Sequence, residues 1–130
     1  MSNLRSPLRR ALGTGSAHSG AAHWWAQRVS AGALVPLALW FLISLGLLPD
    51  LGYLTLRAWL AAPVTGFLAM LLVAVLAYHA DLGTGVILED YVHTPGTRTA
   101  VRLALRSAFL LAAGLALFSI LRIAFAAPIS

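Results

Sequence analysis

Three long apolar runs, separated by short polar stretches, dominate the chain. The runs cover residues 29–48, 63–89 and 99–125, and each reaches the roughly 20 residues that an α-helix needs to cross the core of a bilayer. The polar residues between the runs are too few to cover the surface of a soluble fold. The pattern therefore predicts an all-α, integral membrane protein with three transmembrane helices.

Proline and glycine positions agree with these boundaries. Pro63 suits the first turn of the second helix, and the turn chemistry of Leu48-Pro49-Asp50-Leu51-Gly52 closes the first. His93-Thr94-Pro95-Gly96 is expected to close the second helix. Pro36 falls inside the first run, where neighbours in a membrane bundle can satisfy the freed carbonyl. We expect a kink there and not a break.

The segment before the first run has a different character. Residues 1–22 hold three arginines and no acid among Ser, Gly, Ala and Thr, with no hydrophobic periodicity. We expect a short basic N-terminal tail, mostly unstructured, followed by the three-helix anchor at residues 23–130. Such a composition fits both a transit peptide and a bacterial cytoplasmic tail.

Composition sharpens the class of protein. The 130 residues are 60% hydrophobic and 10% charged, with a mean hydropathy of +0.86, whereas a soluble domain carries roughly 25% charged residues. Cysteine is absent, which excludes disulfides and thiolate metal sites. The chain has nine arginines, no lysine and a net charge of +5. These arginines flank the apolar runs and form no dense patch, so they indicate a lipid bilayer as the partner and not nucleic acid.

The arginines also predict an orientation. Seven lie in the tail or around the second polar stretch, and two lie on the other side: Arg5, Arg9, Arg10, Arg28, Arg98, Arg102 and Arg106, against Arg57 and Arg122. Because arginine is retained on the side from which a membrane protein is inserted, we expect the N-terminus in the cytoplasm of a bacterium, in its inner membrane. A mitochondrial inner membrane, with the tail in the matrix, is the alternative.

His79 is the most informative polar residue. It lies inside the second apolar run, where an unpaired polar side chain is costly and signals a functional site. Gly83 follows one turn later on the same face and leaves room for a large planar ligand such as haem. One histidine supplies one axial ligand, so a haem would need a second chain. The alternative is a histidine that bonds a serine or carbonyl on a neighbouring helix.

Two further groups lie near the membrane boundary. Asp90 and Tyr91 end the second run, where a phenol can donate to a carbonyl of a lipid-soluble ligand or simply belong to an interfacial aromatic belt. Arg28 follows Trp24 and Trp25 at the start of the first helix. A guanidinium there can bind a carboxylate such as a haem propionate. Alternatively, it only helps to set the membrane orientation and reaches the headgroups by snorkelling.

The segment Tyr78-His79-Ala80-Asp81-Leu82-Gly83-Thr84-Gly85-Val86-Ile87-Leu88-Glu89-Asp90-Tyr91-Val92-His93 resembles the signature of the D-type membrane anchors of succinate dehydrogenases. In that family a histidine is followed by a glycine four residues later and by an Asp-Tyr pair eleven and twelve residues later, as here. The stretch from His23 to Ala31 is similar to the entry of that family's first helix. Asp81 departs from the pattern, since its position is more often apolar, aromatic or basic.

The resemblance implies a role for each matching residue. His79 would be the axial ligand of a haem b shared with a second membrane-anchor subunit of the C type, with Gly83 beside the macrocycle. Arg28 would approach a propionate, and Tyr91 with Asp90 would help to form the ubiquinone site. The chain would be a non-catalytic subunit that docks an iron–sulfur subunit and a flavoprotein subunit. Fumarate reductase anchors, a haem-free accessory or assembly protein, and a lone cytochrome are the alternatives.

Overall fold

The computed structural model describes residues 16–126, and no strand occurs among them. The helices are α1 (Ser16–Gly46), α2 (Tyr53–Ala61), α3 (Pro63–Tyr91) and α4 (Pro95–Phe125). Of these, α1, α3 and α4 are long and apolar enough to cross a membrane. The predicted all-α fold with three membrane-spanning helices is thus confirmed.

Helix α3 is the centre of the bundle. It packs against both α1 and α4, whereas α1 and α4 have no Cα atoms within 8 Å of each other in the part of the chain that the structure describes. Consecutive spans cross the bilayer in opposite directions. The N-terminal end of α1, the C-terminal end of α3 and the N-terminal end of α4 therefore share one end of the bundle, which we call the arginine-rich end after Arg28, Arg98, Arg102 and Arg106.

The exterior of this bundle is apolar. Only a few hydrophobic side chains are buried, among them Leu37, Ala69 and Leu82, while many leucines, valines and phenylalanines along the spans are exposed. Lipid is as apolar as these side chains, so membrane helices associate mainly through close packing and polar contacts. Close packing and the few polar contacts between the spans therefore set the arrangement of the helices.

Several boundaries differ from the sequence expectation. Helix α1 already includes residues 16–22, which the sequence assigned to the tail, and residues 1–15 lie outside the described residues. It continues without interruption through Pro36, as expected for a membrane helix. Pro95, which we placed in a turn, is instead the first residue of α4. Proline is favoured there because the N–H that it lacks has no helical partner at that position.

Helix α2 is an element that the sequence analysis did not predict. It packs against α3 and α4, and its Trp59 stacks on Trp40 of α1 with ring centroids 6.0 Å apart. A Cβ at Gly66 of α3 would come within 2.9 Å of the Leu60 carbonyl oxygen, so the glycine permits this close approach. Helix α2 thereby closes the bundle at the end opposite the arginine-rich end.

Candidate functional site

His79 lies on α3 and is half-buried at the side that faces α1. Its Nδ1 is 2.8 Å from the Oγ of Ser30 on α1, and Ser30 is only 6% exposed. The Ser30 hydroxyl also lies 3.0 Å from the carbonyl oxygen of Gln27. Among residues 20–126, the other ring nitrogen, Nε2, has no hydrogen-bond partner. The serine bond that the sequence analysis weighed as an alternative is therefore present, but it occupies only one of the two nitrogens.

Gly83 follows one turn after His79 on the same face of α3. A Cβ added at Gly83 would meet nothing within 4 Å. This chain therefore leaves open space next to the imidazole, within the span of α3.

Asp81 and Gly85 form the contact with α4. One carboxylate oxygen of Asp81, Oδ2, lies 3.9 Å from Nη2 of Arg102 and 4.0 Å from Nε of Arg106. The other, Oδ1, is buried without a hydrogen-bond partner in the described part of the chain. A Cβ at Gly85 would collide with the guanidinium of Arg102. The missing side chain of Gly85 thus makes room for the arginine that reaches Asp81.

Asp90 and Tyr91 are exposed at the end of α3, and Tyr91 is 79% exposed. Eleven residues separate His79 from Asp90, which is about 16 Å along an α-helix. The pair makes no hydrogen bond or ion pair through its side chains to any residue from 20 to 126. Within this chain, therefore, these two residues and His79 do not form one pocket.

Arg28 lies at the start of the apolar part of α1, two residues before Ser30. It is exposed, and its guanidinium carbon is 5.3 Å from the centre of the Trp24 ring. A cation over an indole face at this distance is a favourable contact. The aromatic ring therefore holds a positive charge at the arginine-rich end, at the level where α1 enters its apolar stretch.

The residues around His79 fit one side of a haem. In the described ranges, no group of three or more His, Asp or Glu side chains is placed to hold a metal ion. A haem does not need such a group, because the macrocycle supplies the equatorial ligands and a protein adds axial ones. The imidazole with a free nitrogen and the open space at Gly83 would suit a haem held by His79. A second protein ligand to such a haem would come from another chain.

Sequence reasoning missed two features of this region. Ser30 falls at the start of the first apolar run and was given no role, although a serine inside such a run is a signal for a polar contact between helices. Arg102 and Arg106 were used only to predict the orientation, and their contact with Asp81 was not predicted. The spacing of Asp81 and Gly85, one turn apart on α3, carried that signal.

Comparison with known proteins gives a consistent result. A family model described as succinate dehydrogenase/fumarate reductase transmembrane subunit matches residues 2–121. The succinate dehydrogenase hydrophobic membrane anchor subunit of Rickettsia bellii (strain RML369-C) is 36% identical over 107 residues, which are 80% of this chain and 83% of the relative. The protein of the same name from Paracoccus denitrificans is 37% identical over 95 residues, 73% of each chain.

These matches extend well beyond the short segment that carried the resemblance. The family model reaches from the N-terminal tail almost to the end of α4, and the two relatives each cover more than two thirds of the chain. The three spans of the fold agree with the membrane anchors that these names describe. The chain belongs to the family of succinate dehydrogenase/fumarate reductase transmembrane subunits, as a multi-pass hydrophobic membrane anchor subunit of the succinate dehydrogenase type.

Proposed function

We propose that this anchor docks the flavoprotein and iron–sulfur subunits of a succinate dehydrogenase at its arginine-rich end, in a bacterial inner membrane with the N-terminus in the cytoplasm. It shares a haem b with a second anchor subunit of the C type through His79, and it contributes Tyr91 and Asp90 to a ubiquinone-reduction site. With no cysteine in the chain, an iron–sulfur cluster has no thiolate ligand here. The electrons therefore come from the partner subunits.

The haem assignment rests on the hydrogen bonding of His79, which uses only one of its two ring nitrogens. Burying a polar group inside a membrane is costly unless it is paired, yet Ser30 occupies only Nδ1. The second nitrogen and the open space at Gly83 remain for a ligand. Haem supplies a redox-active iron that one imidazole on each side can hold. In this proposal the chain's own part is to present Nε2 of His79 from one side and to keep Gly83 clear.

The remaining site residues have supporting roles. Arg28 is exposed at the arginine-rich end, where its guanidinium matches a haem propionate in charge and fork geometry. Tyr91 is 79% exposed at the same end, so its phenol is free to donate to a quinone carbonyl. The neighbouring Asp90 is exposed as well and supplies a carboxylate that can pair with an arginine or orient the phenol.

The haem assignment is tested by His79→Ala in the purified complex. We expect the reduced-minus-oxidised spectrum to lose its b-type band, because His23 of α1 lies seven residues before Ser30, about 10 Å away along the helix, and is not placed to replace the His79 imidazole. His93→Ala is the matched control: His93 is exposed and lies beyond the end of α3, so its removal should leave the spectrum unchanged. A normal spectrum in His79→Ala would show instead that His79 only bonds Ser30, as in a haem-free accessory protein.

The quinone assignment is tested by Tyr91→Phe, which keeps the ring and removes one hydrogen bond. Such a bond is worth about 0.5–1.5 kcal/mol net, and more where a buried acceptor is left unpaired. We expect quinone reduction to fall by about tenfold, while succinate oxidation with a water-soluble acceptor and the haem spectrum stay normal. Normal quinone kinetics would make Tyr91 an interfacial anchor and end its assignment to the site.

A further inference from the structure

Ser30 is the buried polar residue of α1, and its hydroxyl has two neighbours. The Gln27 carbonyl oxygen lies at 3.0 Å and Nδ1 of His79 at 2.8 Å. A hydroxyl carries one proton and two lone pairs. It can therefore donate to only one of these neighbours, and the direction of that donation decides the state of the histidine.

The Gln27 carbonyl oxygen favours one direction of donation. It can only accept, so its contact with Ser30 at 3.0 Å is a hydrogen bond when the Ser30 proton points to it. Serine in a helix commonly bonds a carbonyl three or four residues back in this way. The Oγ lone pairs are then directed at His79, and Nδ1 must carry a proton to donate to them. A neutral imidazole protonated on Nδ1 has its lone pair on Nε2, the nitrogen without a partner in the described range.

We infer that Ser30 is a positioning residue for the metal ligand: it fixes His79 in the tautomer and ring orientation that present Nε2 as a ligand to haem iron. This inference rests on the proposed role of His79. A ligating histidine whose other N–H donates to an acceptor is held in orientation and is a more basic ligand. Helix α1 thereby takes part in the site without touching the iron.

The burial of Ser30 strengthens this role. At 6% exposure, water has little access to its hydroxyl, so a solvent molecule is poorly placed to replace it as the acceptor. Removing the hydroxyl leaves Nδ1–H unpaired between α1 and α3, where the imidazole is free to rotate or to adopt the other tautomer. Removing the hydroxyl should therefore change the orientation of the His79 imidazole and not only the packing of the two helices.

The test uses Ser30→Ala in the purified complex, with haem content and midpoint potential as readouts. We expect haem retention to weaken by about tenfold to a hundredfold, the usual effect of losing such an outer partner. The midpoint potential of the remaining haem should rise, because a less basic imidazole stabilises the oxidised iron less. Ser30→Thr keeps a hydroxyl that bonds the same carbonyl in a helix and should restore both readouts.

Two further variants keep the result interpretable. Ser44→Ala removes another serine of α1 that has no hydrogen bond through its side chain in the described region, and it should behave as the wild type. Ser30→Cys keeps nearly the same volume but offers only a weak acceptor. It should assemble and still show the raised potential even if Ser30→Ala does not assemble.

The outcomes separate the two proposals. If His79→Ala keeps a normal b-type spectrum, the ligand assignment fails and the role of Ser30 fails with it. If His79→Ala loses the spectrum but Ser30→Ala and Ser30→Cys match Ser44→Ala in haem content and potential, only the positioning role is overturned. A potential that falls in the Ser30 variants also overturns it, because the predicted change in ligand basicity has the opposite sign.

Discussion

The two faces of α3 use glycine in opposite ways. On the face towards α1, the position of a Cβ at Gly83 has nothing within 4 Å, next to a histidine with one free nitrogen. On the face towards α4, two residues further on, the same position at Gly85 is filled by the guanidinium of Arg102. The chain's own Arg102 therefore fills the space at Gly85, whereas the space at Gly83 stays open.

The polar groups on these faces differ in the same way. Ser30 and His79 are joined by a short neutral hydrogen bond at 2.8 Å, whereas Asp81 reaches two arginines only at 3.9 and 4.0 Å. The α4 face therefore adds a charge contact to the packing of two helices, and the α1 face holds one side chain through a short hydrogen bond. In our proposal, open space next to a fixed polar group, and not polarity alone, marks the ligand site at His79.

The comparison is tested most strongly by filling the open space with Gly83→Leu. We expect the haem to be lost almost completely from a complex that still assembles, because leucine occupies the room beside His79 and is also the better helix former. Haem content and the yield of assembled complex are the measurements. If the Gly83→Leu complex does not assemble although the second anchor subunit is folded, the space beside Gly83 is filled by a helix of another subunit. The contrast with Gly85 would then have to be abandoned.

A smaller effect is expected from Asp81→Asn on the other face. The change leaves Arg102 and Arg106 without their common counter-charge, while Asp81 itself is mostly buried. The loss of stability should lie between about 1 kcal/mol, as for exposed pairs, and about 3 kcal/mol, as for buried ones. Thermal dissociation of the purified complex measures it, with haem content unchanged.

Glu89→Gln is the matched control for this charge. Glu89 is exposed on the same helix and has no ion pair within the described residues, so its neutralisation should leave the thermal stability unchanged. A complex with Asp81→Leu and Arg102→Leu together should recover most of the loss, since no buried charge is left alone. Equal effects of Asp81→Asn and Glu89→Gln would show that the contact with α4 does not depend on this ion pair.

The sequence was sufficient to predict the spans and to single out His79 and Gly83 as candidate site residues, and the reason is physical. Apolar runs of sufficient length cross a bilayer whatever their neighbours are, and His79 with Gly83 stands out because polar residues inside such runs are rare. Ser30 and the pairing of Asp81 with Arg102 were not predicted, because the spans are apolar on all sides. Without a polar face, the pattern does not say which side of α3 meets α1 and which meets α4.

Helix α2 was missed for a related reason. Its nine residues are too few for a span and too few to be stable alone in water. It is held by tertiary contacts such as the stacking of Trp59 on Trp40 and the approach of Leu60 to Gly66. Contacts of this kind depend on how the long helices are arranged, which a local pattern does not contain.

The smallest effect in the comparison is expected for Gly85→Ala. Overpacking typically costs about 1–3 kcal/mol, but here the colliding atoms are the flexible end of Arg102. Alanine also gains about 0.8–1.0 kcal/mol in helix propensity over glycine. We expect a net loss of about 1 kcal/mol or less, measured as thermal stability against Gly114→Ala, where a Cβ meets nothing within 4 Å. A loss larger than that of Asp81→Asn would mean that Arg102 is fixed by more than Asp81.

The ligand role of His79 is tested most directly by chemical rescue. In a His79→Gly complex, the b-type spectrum should be lost, and added imidazole, which can enter the vacated space beside Gly83, should restore a low-spin b-type band in proportion to its concentration. The same addition to His93→Gly should change nothing, because that complex keeps its ligand. A His79→Gly complex that shows the full b-type spectrum without imidazole would contradict the assignment of His79 as the haem ligand.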